Sequence, residues 1–343
     1  MRVFRHYSNL PADARGAVVA IGNFDGIHRG HQAVIGKAGR LARELGAPLA
    51  VLTFEPHPRN YFRPDSPPFR LTPFRLKARL IEALEVDCLF VLRFDRALAG
   101  LTAEAFIADV LVNGLGVRHV VVGDNFRFGR KRTGDIPLLE TQGRSNGFGV
   151  TCLGRITGPS SGAGEAEPFS STHVREYLAN GNPTRAALLL GRYWEIEGRV
   201  QRGDRRGREL GYPTANVAIG DILLPAFGVY AVRAGIDRGA DTQWHAGAAN
   251  IGIRPMFESK RPLLEVHIFD FDRQIYGRHM RVALVDYLRP EMAFDDVEAL
   301  KAQMDEDCRR ARASLAYEDW DASWPASPFM APTGPTPGSE PGE

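Results

Sequence analysis

The sequence predicts an α/β domain on a doubly wound parallel sheet, followed by a small antiparallel β-barrel that ends in a helix. Three observations carry this reading. Over roughly the first 154 residues, short apolar runs alternate with segments of helical period, the signature of a parallel sheet covered by helices. Beyond residue 191 the apolar runs follow one another without long helices between them, as in closed antiparallel sheets. A chain of 343 residues that is 44% hydrophobic is long enough for two domains, each with its own core.

Taken in order, the strands of the first half are expected at 18–24 (VVAIGNF), 48–54 (PLAVLTF), 88–94 (CLFVLRF), 119–126 (HVVVGDNF) and 149–154 (GVTCLG). Between the first two, Ala33, Val34, Ala38, Leu41, Ala42 and Leu45 recur at three- and four-residue steps, as one buried helix face requires. Residues 72–86 and 102–115 read as helices in the same way. A polar, Gly-rich stretch near 160–167 and two short helical segments ending at Gly191 lead into the second half. Its strands are expected at 193–200, 212–219, 228–236, 245–253, 263–271 and 279–288. A last helix begins near Asp295, placed to cap it with Glu298 three residues later, and runs to about Leu315. From 325 to 343 six of nineteen residues are proline and none is Lys or Arg, which predicts a disordered tail. The expected division is therefore 1–186, 187–318 and a tail over 319–343.

Several function classes are set aside by composition. The first sixteen residues hold no apolar core of signal-peptide length, and the apolar runs elsewhere fall well short of the roughly 20 residues that span a bilayer. A cytoplasmic protein without a membrane partner is expected. Cys88, Cys152 and Cys308 are far apart and form no CxxC pair, so neither a disulfide framework nor a zinc site is suggested. With 43 basic and 41 acidic residues, the net charge of +2 gives no nucleic-acid footprint. The short run Arg127, Arg130, Lys131, Arg132 reads as a mobile, solvated loop with phosphate contact as its one candidate role.

Two places carry chemistry. The segment GNFDGIHRGH (22–31) follows a buried strand and opens a helix, where open α/β sheets bind phosphate. Glycines at 22, 26 and 30 allow close backbone approach, and His28 and His31 can converge beside the helix N-terminus. A zinc site would need more ligands than Asp25, the only obvious candidate nearby. Farther on, Ser170, Ser171 and Thr172 are capping types at a helix start with Arg175 one turn in, a second anion-binding N-terminus. In the second half, glycines at 203, 207 and 211 lead into Pro213-Thr214-Ala215-Asn216. Thr214 and Asn216 are two apart, on one strand face, and offer hard oxygens suited to Mg²⁺ beside phosphates. Along LLEVHIFDF (263–271), Val266 and Ile268 share one face while Glu265 and His267 share the other.

These motifs occur in a recognisable order. GNFDGIHRGH, FEPHP (54–58), LTP followed by Lys77, VVGDNFRFGRKRTGD (121–135), SSTHVR (170–175), PTAN, NIGIRP (250–255), LEVHIFDF and LRPEMAF (288–294) together resemble the prokaryotic bifunctional riboflavin kinase/FMN adenylyltransferases. The resemblance covers nearly everything from residue 22 to about 312. It implies a nucleotidylyltransferase domain that transfers AMP from ATP to FMN, giving FAD and pyrophosphate, and a riboflavin kinase barrel that makes the FMN. ATP, riboflavin and FMN are then the partners, Mg²⁺ accompanies ATP, and the flavins are substrates and products. Under it, His28, His31 and Arg175 serve adenylyl transfer and Glu265 is the base of the kinase. Gly22, Asn23, Phe24, Gly30, Ser170, Ser171 and Thr172 hold phosphates in the first site, and Gly207 and Gly211 in the second. Thr214 and Asn216 hold the metal. Asn125, Phe62, Phe106 and Phe128 are the flavin-contact candidates, with core packing the competing role for any one of 19 phenylalanines. The chain departs from the pattern at Met256, where the family usually has threonine. A nucleotidylyltransferase with another acceptor, or a flavin sensor with degenerate sites, would be expected to lack PTAN, Glu265 or the histidines, and all are present.

Overall fold

The computed structural model describes residues 1–158, 167–202, 207, 210–238, 242–253 and 262–316. The expected tail, Met256 and most of the Gly-rich stretch near 160–167 lie outside the described residues. Six parallel strands, β1 (Arg2–Phe4), β2 (Val18–Ile21), β3 (Leu49–Glu55), β4 (Cys88–Arg93), β5 (His119–Gly123) and β6 (Gly149–Leu153), form one sheet in the order β1-β4-β3-β2-β5-β6. The order reverses between β2 and β5, which makes that seam the topological switch point where ligands bind in open α/β sheets.

Both faces of this sheet are covered, which is why its central strands are apolar throughout. Val18 and Ala20 of β2 pack beneath α1 (Arg29–Leu45) and α3 (Phe74–Glu82), through Val34, Ile35, Ala38, Leu76 and Ile81. Val19 and Ile21 face the other way, toward Phe106, Ile107, Val110 and Leu111. Those four belong to a helix that starts as α5 (Ala103–Ala105) and continues with π-helical spacing over Phe106–Leu115. Short α2 (Pro58–Phe62) and α4 (Arg96–Gly100) rim the C-terminal ends of the strands, and α6 (Ile136–Asn146) precedes β6. The edge strand β1 had no counterpart in the sequence reading, because three residues carry no periodicity; its parallel pairing with β4 defines it.

Two helices, α7 (Ser171–Ala179) and α8 (Pro183–Leu190), join the halves. The second half is a closed antiparallel barrel of β7 (Trp194–Gln201), β8 (Ala215–Ala218), β9 (Gly228–Ile236), β10 (Gln243–Ile253), β11 (Pro262–Ile268) and β12 (His279–Arg289). Its interior takes Ile196, Val217, Val232, Ile251, Leu264, Val266 and Val282, and the same cluster includes Val174, Leu178, Ala186 and Leu190 of the two joining helices. The last helix, α9 (Val297–Ala316), lies on the outside of the barrel against Val229, Ala231, Ala248 and Leu288. Its cap is Asp296 rather than Asp295: the Asp296 carboxylate accepts from the Ala299 N–H at 2.7 Å, because the helix begins at Val297, one residue later than a cap at Asp295 requires. Arg289 grips Asp307 of this helix through Nε and Nη2 at 2.7–3.0 Å, which fixes α9 to the end of β12.

Candidate active sites

At the switch point β2 runs into a loop that the chain holds in unusual backbone shapes. Phe24 and Ile27 have φ of 49° and 44° and are fully buried, a conformation bulky residues adopt only when packing imposes it. Gly26 has φ of 88°, and a Cβ there would meet Leu71 Cδ1 at 2.8 Å. The turn leaves His28 as the N-cap of α1, its Nδ1 accepting from the His31 N–H at 3.3 Å. The two imidazoles stack with centroids 3.6 Å apart, and the Phe24 ring supports His31 edge-on at 5.2 Å. A Cβ at Gly30 would crowd the His28 ring at 3.1 Å. Burial pushes the His28 pKa down to about 4, and burial with the neighbouring His28 and Lys77 charges pushes His31 well below the usual histidine range. Both rings are neutral at pH 7.

The centre of the site is a residue the sequence offered only as a weak metal candidate. Asp25, buried, accepts from the Leu71 and Thr72 N–H groups at 3.0 and 3.1 Å, from the Thr72 hydroxyl at 3.2 Å and from Arg175 Nη2 at 2.5 Å. Burial opposes its charge, but Arg175, the Leu71 N–H, Lys77 and the Thr72 N–H outweigh that and hold the carboxyl below its ordinary value. Its oxygens are thus committed to donors, and no group of three His, Cys, Asp or Glu suited to a metal occurs among the described residues. Arg175 also donates from Nε to Phe69 O at 2.8 Å, and Ser171 Oγ donates to Asp25 O at 2.8 Å. Ser170 caps α7 by accepting from the His173 N–H at 3.2 Å. Asp25 therefore ties the start of α7 to the loop before α1, so two helix N-termini converge on one place. Beneath them, fully buried Lys77 donates to Asn23 O and to Glu55, both at 3.0 Å, and Arg70 forks onto the same carboxylate at 2.7 and 2.9 Å.

A cavity of about 760 Å³ opens beside this cradle. Gly22, Asn23, Asp25, His31, Ser171 and Arg175 line one end. Phe54, Phe62, Phe106, Phe126 and Phe128 line the other, with Asn125 and the basic side chains of Arg127, Lys131 and Arg132 at the wall. Of the aromatic candidates, Phe62 is 64% exposed, whereas Phe106 and Phe128 are buried in the sheet core and pack on each other with centroids 5.6 Å apart. Phe24 touches the cavity but acts mainly as packing under His31. Thr172 is exposed and lies off the lining.

In the barrel, register places the second set of residues. Asn216 of β8 pairs with Glu265 of β11, and Glu265 with Asn250 of β10. Their strand neighbours Val217, Leu264, Val266 and Ile251 point into the barrel, so the three polar residues form a row on its outer face. Thr214 immediately precedes β8. Gly207 lies against this turn: its carbonyl accepts from the Tyr212 N–H at 2.7 Å, and a Cβ on it would collide with Tyr212 O. Gly211 turns the chain with φ of 92°. Tyr212 is latched by its hydroxyl to Asp305 of α9 and packs edge-on against His267, whose Nδ1 lies 3.0 Å from Pro213 O. Asn250 was not singled out by the sequence reading, since only cross-strand pairing reveals that it joins Glu265 and Asn216.

An anion cradle at the switch point of a parallel sheet, joined to a barrel with an oxygen-rich outer face, defines a two-domain transferase that works on phosphorylated substrates. A FAD synthetase family model matches residues 10–162 and a riboflavin kinase family model matches residues 190–315. A curated bifunctional riboflavin kinase/FMN adenylyltransferase of Escherichia coli (strain K12) is 41% identical over 318 residues, covering 91% of this chain and 97% of the relative. Those of Haemophilus influenzae and Bacillus subtilis are 39% and 36% identical, covering 91% and 86% of this chain and 99% and 91% of the relatives. A crystal structure from Streptococcus pneumoniae described as a macrolide-efflux protein superposes with a TM-score of 0.78 at 29% identity, covering 90% of this chain and 98% of that one. The chain belongs to the bifunctional riboflavin kinase/FMN adenylyltransferase family. Among the described residues no helix is long and apolar enough to cross a membrane.

Proposed function

We propose that this riboflavin kinase and FMN adenylyltransferase runs its two reactions at the two sites described, adenylyl transfer in the His28–Arg175 cradle and phosphoryl transfer on the outer face of the barrel. The observation that carries the first assignment is the Asp25 bridge, which brings two helix N-termini, Arg175 and His31 to one end of an aromatic-lined cavity, with His28 stacked behind His31 and off the lining. FMN fits this shape, its flavin toward the phenylalanines and its phosphate toward the cradle. A phosphate monoester with second pKa near ~6 is largely ionised at neutral pH, so the nucleophile needs no base. Its oxygen bonds to the α-phosphorus of ATP as the bond to the β-phosphate oxygen breaks, and the electron pair leaves with pyrophosphate. Neutral His28 and His31 donate N–H groups as that charge develops, while Arg175, Ser171 and the start of α7 hold the leaving group.

The kinase step has a different requirement, because the riboflavin acceptor is a neutral ribityl hydroxyl. Glu265 takes its proton as the oxygen bonds to the γ-phosphorus and ADP leaves. The neutral oxygens of Thr214 and Asn216 beside the Glu265 carboxylate make a donor set that suits Mg²⁺ held jointly with ATP phosphates. That ion, when bound, spreads the phosphate charge. The proposed division places the first reaction in 1–186 and the second in 187–318, in a cytoplasmic enzyme with small-molecule partners and neither nucleic acid nor membrane. The test is a single incubation of pure protein with riboflavin and Mg-ATP, following FMN and FAD by chromatography. His28→Ala should stop the chain at FMN, Glu265→Gln should prevent FMN from forming, and a chelator should stop both steps. FAD formation by His28→Ala at the parental rate would overturn the first site.

A further inference from the structure

The sequence division places the two reactions on separate domains, yet the beginning of the barrel is hydrogen-bonded into the adenylyl-transfer cradle. Trp194 opens β7 and is fully buried. Its indole N–H donates at 2.8 Å to Leu71 O, across the two halves of the chain. The Leu71 carbonyl shares a peptide unit with the Thr72 N–H, and that N–H donates to Asp25 at 3.1 Å. One peptide is therefore held at both ends, by the kinase barrel on its oxygen and by Asp25 on its nitrogen. A donor on a peptide oxygen polarises the unit and strengthens its N–H as a donor. Two residues earlier Arg192 Nη2 donates to Gly26 O at 2.9 Å, on the loop between Asp25 and His28. Gln32 Nε2 of α1 donates in return to Leu190 O at 2.8 Å and to Ile27 O at 2.9 Å. The loop these bonds brace carries left-handed φ at Phe24 and Ile27, so it needs external support to keep its shape.

We infer that Trp194 and Arg192, at the leading edge of the kinase barrel, are positioning residues for adenylyl transfer. They act through Leu71 and Gly26 on Asp25, and through Asp25 on Arg175 and the leaving pyrophosphate. Neither reaches the aromatic end of the cavity, and neither lies in the Asn216–Glu265–Asn250 row of the kinase. The inference rests on adenylyl transfer belonging to the His28–Arg175 cradle.

The experiment uses the full chain with Trp194→Phe, which keeps an aromatic ring in the barrel and removes the N–H, and with Arg192→Gln, which removes a buried guanidinium and keeps a polar amide. FAD formation from FMN, the reverse cleavage of FAD by pyrophosphate and riboflavin phosphorylation are measured together. Loss of one net hydrogen bond corresponds to roughly 3- to 10-fold. Each variant should lose about that factor in adenylyl transfer and raise the KM for pyrophosphate similarly. The KM for FMN and the rate of riboflavin phosphorylation should stay at parental values. Hydrogen exchange of the peptide covering 69–73 should accelerate, since its amides then bond to a less constrained Asp25. Parental adenylyl transfer with parental pyrophosphate KM would overturn the inference, as would both activities falling by one common factor. If Trp194→Phe does not fold, Arg192→Gln decides the matter by the same criteria. Failure of the underlying site assignment is separable, because it would show as unimpaired FAD formation by His28→Ala.

Discussion

Replacing Asp25 by asparagine tests the centre of the proposed adenylyl-transfer site with a side chain of nearly the same size and no charge. The carboxylate collects two backbone N–H groups, a hydroxyl and the Arg175 guanidinium while 2% exposed, and Arg175 itself is mostly covered. The substituted amide would turn an NH₂ group toward at least one of these donors and leave the arginine charge without its counter-ion. Removing one partner of a buried pair costs about 3–5 kcal/mol. Divided by a urea dependence of roughly 2 kcal/mol per molar, the midpoint of the first half should fall by about 1.5–2.5 M. The measurement is urea unfolding followed by circular dichroism, repeated across pH. In the parent the depressed Asp25 carboxyl contributes stability that is complete above the unfolded carboxylate range near 4 and is lost as pH falls through its lower folded value. Asp25→Asn should lack that acid limb. A midpoint within about 0.3 M of the parent would refute the claim that this carboxylate organises the site.

Three further outcomes follow from the same geometry. His28→Ala or His31→Ala should lower conversion of supplied FMN to FAD by about 10²–10³-fold, the worth of an oxyanion donor, while riboflavin phosphorylation continues; equal rates for variants and parent would remove both histidines from the site. His28 is held neutral with a pKa of about 4 against an unfolded value of 6.5, so the folded state binds fewer protons and this group's share of stability should decline as pH drops from about 6.5 toward 4, by about 3 kcal/mol, with His31 and His57 acting in the same direction. His28→Gln should flatten that decline in thermal unfolding scans between pH 7 and 4, and an unchanged slope would contradict the assignment. Glu265→Gln should slow riboflavin phosphorylation by about 10²–10⁴-fold with riboflavin binding preserved, and should leave adenylylation of added FMN intact; loss of both activities would mark Glu265 as structural.

Much of the architecture was legible because periodicity reports burial. Five of the six strands of the sheet and all six barrel strands were anticipated within about three residues, since each alternates or runs apolar against a defined core. The same parity put Glu265 on the face opposite Val266, as found. What the sequence did not display depends on contacts distant along the chain. Asp25 meets Leu71, Thr72 and Arg175 at separations of 46, 47 and 150 residues, and no local pattern marks such a partner set. Asn250 joins Glu265 only through register. Phe106 and Phe128 were legible as apolar, but whether an aromatic ring packs a core or faces a cavity depends on what lies across from it. The Asp295 cap missed by one residue because adjacent aspartates are equivalent until the helix fixes which carboxylate reaches its N–H groups.

The helices between the halves give the arrangement its economy and explain why the cradle is not complete in the parallel-sheet region alone. The two family models end at 162 and begin at 190, so α7 and α8 fall between them, and yet Ser171 and Arg175 of α7 are what Asp25 binds. On the adjoining surface of the same helix, Val174 and Leu178 are buried in the barrel's core cluster. A helix of nine residues is too short to be stable on its own in water, so α7 owes its place to that apolar anchorage. The end of the cradle proposed to bind the leaving group is thereby presented by an element the barrel holds. Ser171 and Arg175, proposed to bind the leaving group, and the barrel residues that hold their helix thus lie on opposite sides of the proposed boundary, and a change in barrel packing beneath Val174 or Leu178 should reach Arg175 before it reaches Glu265.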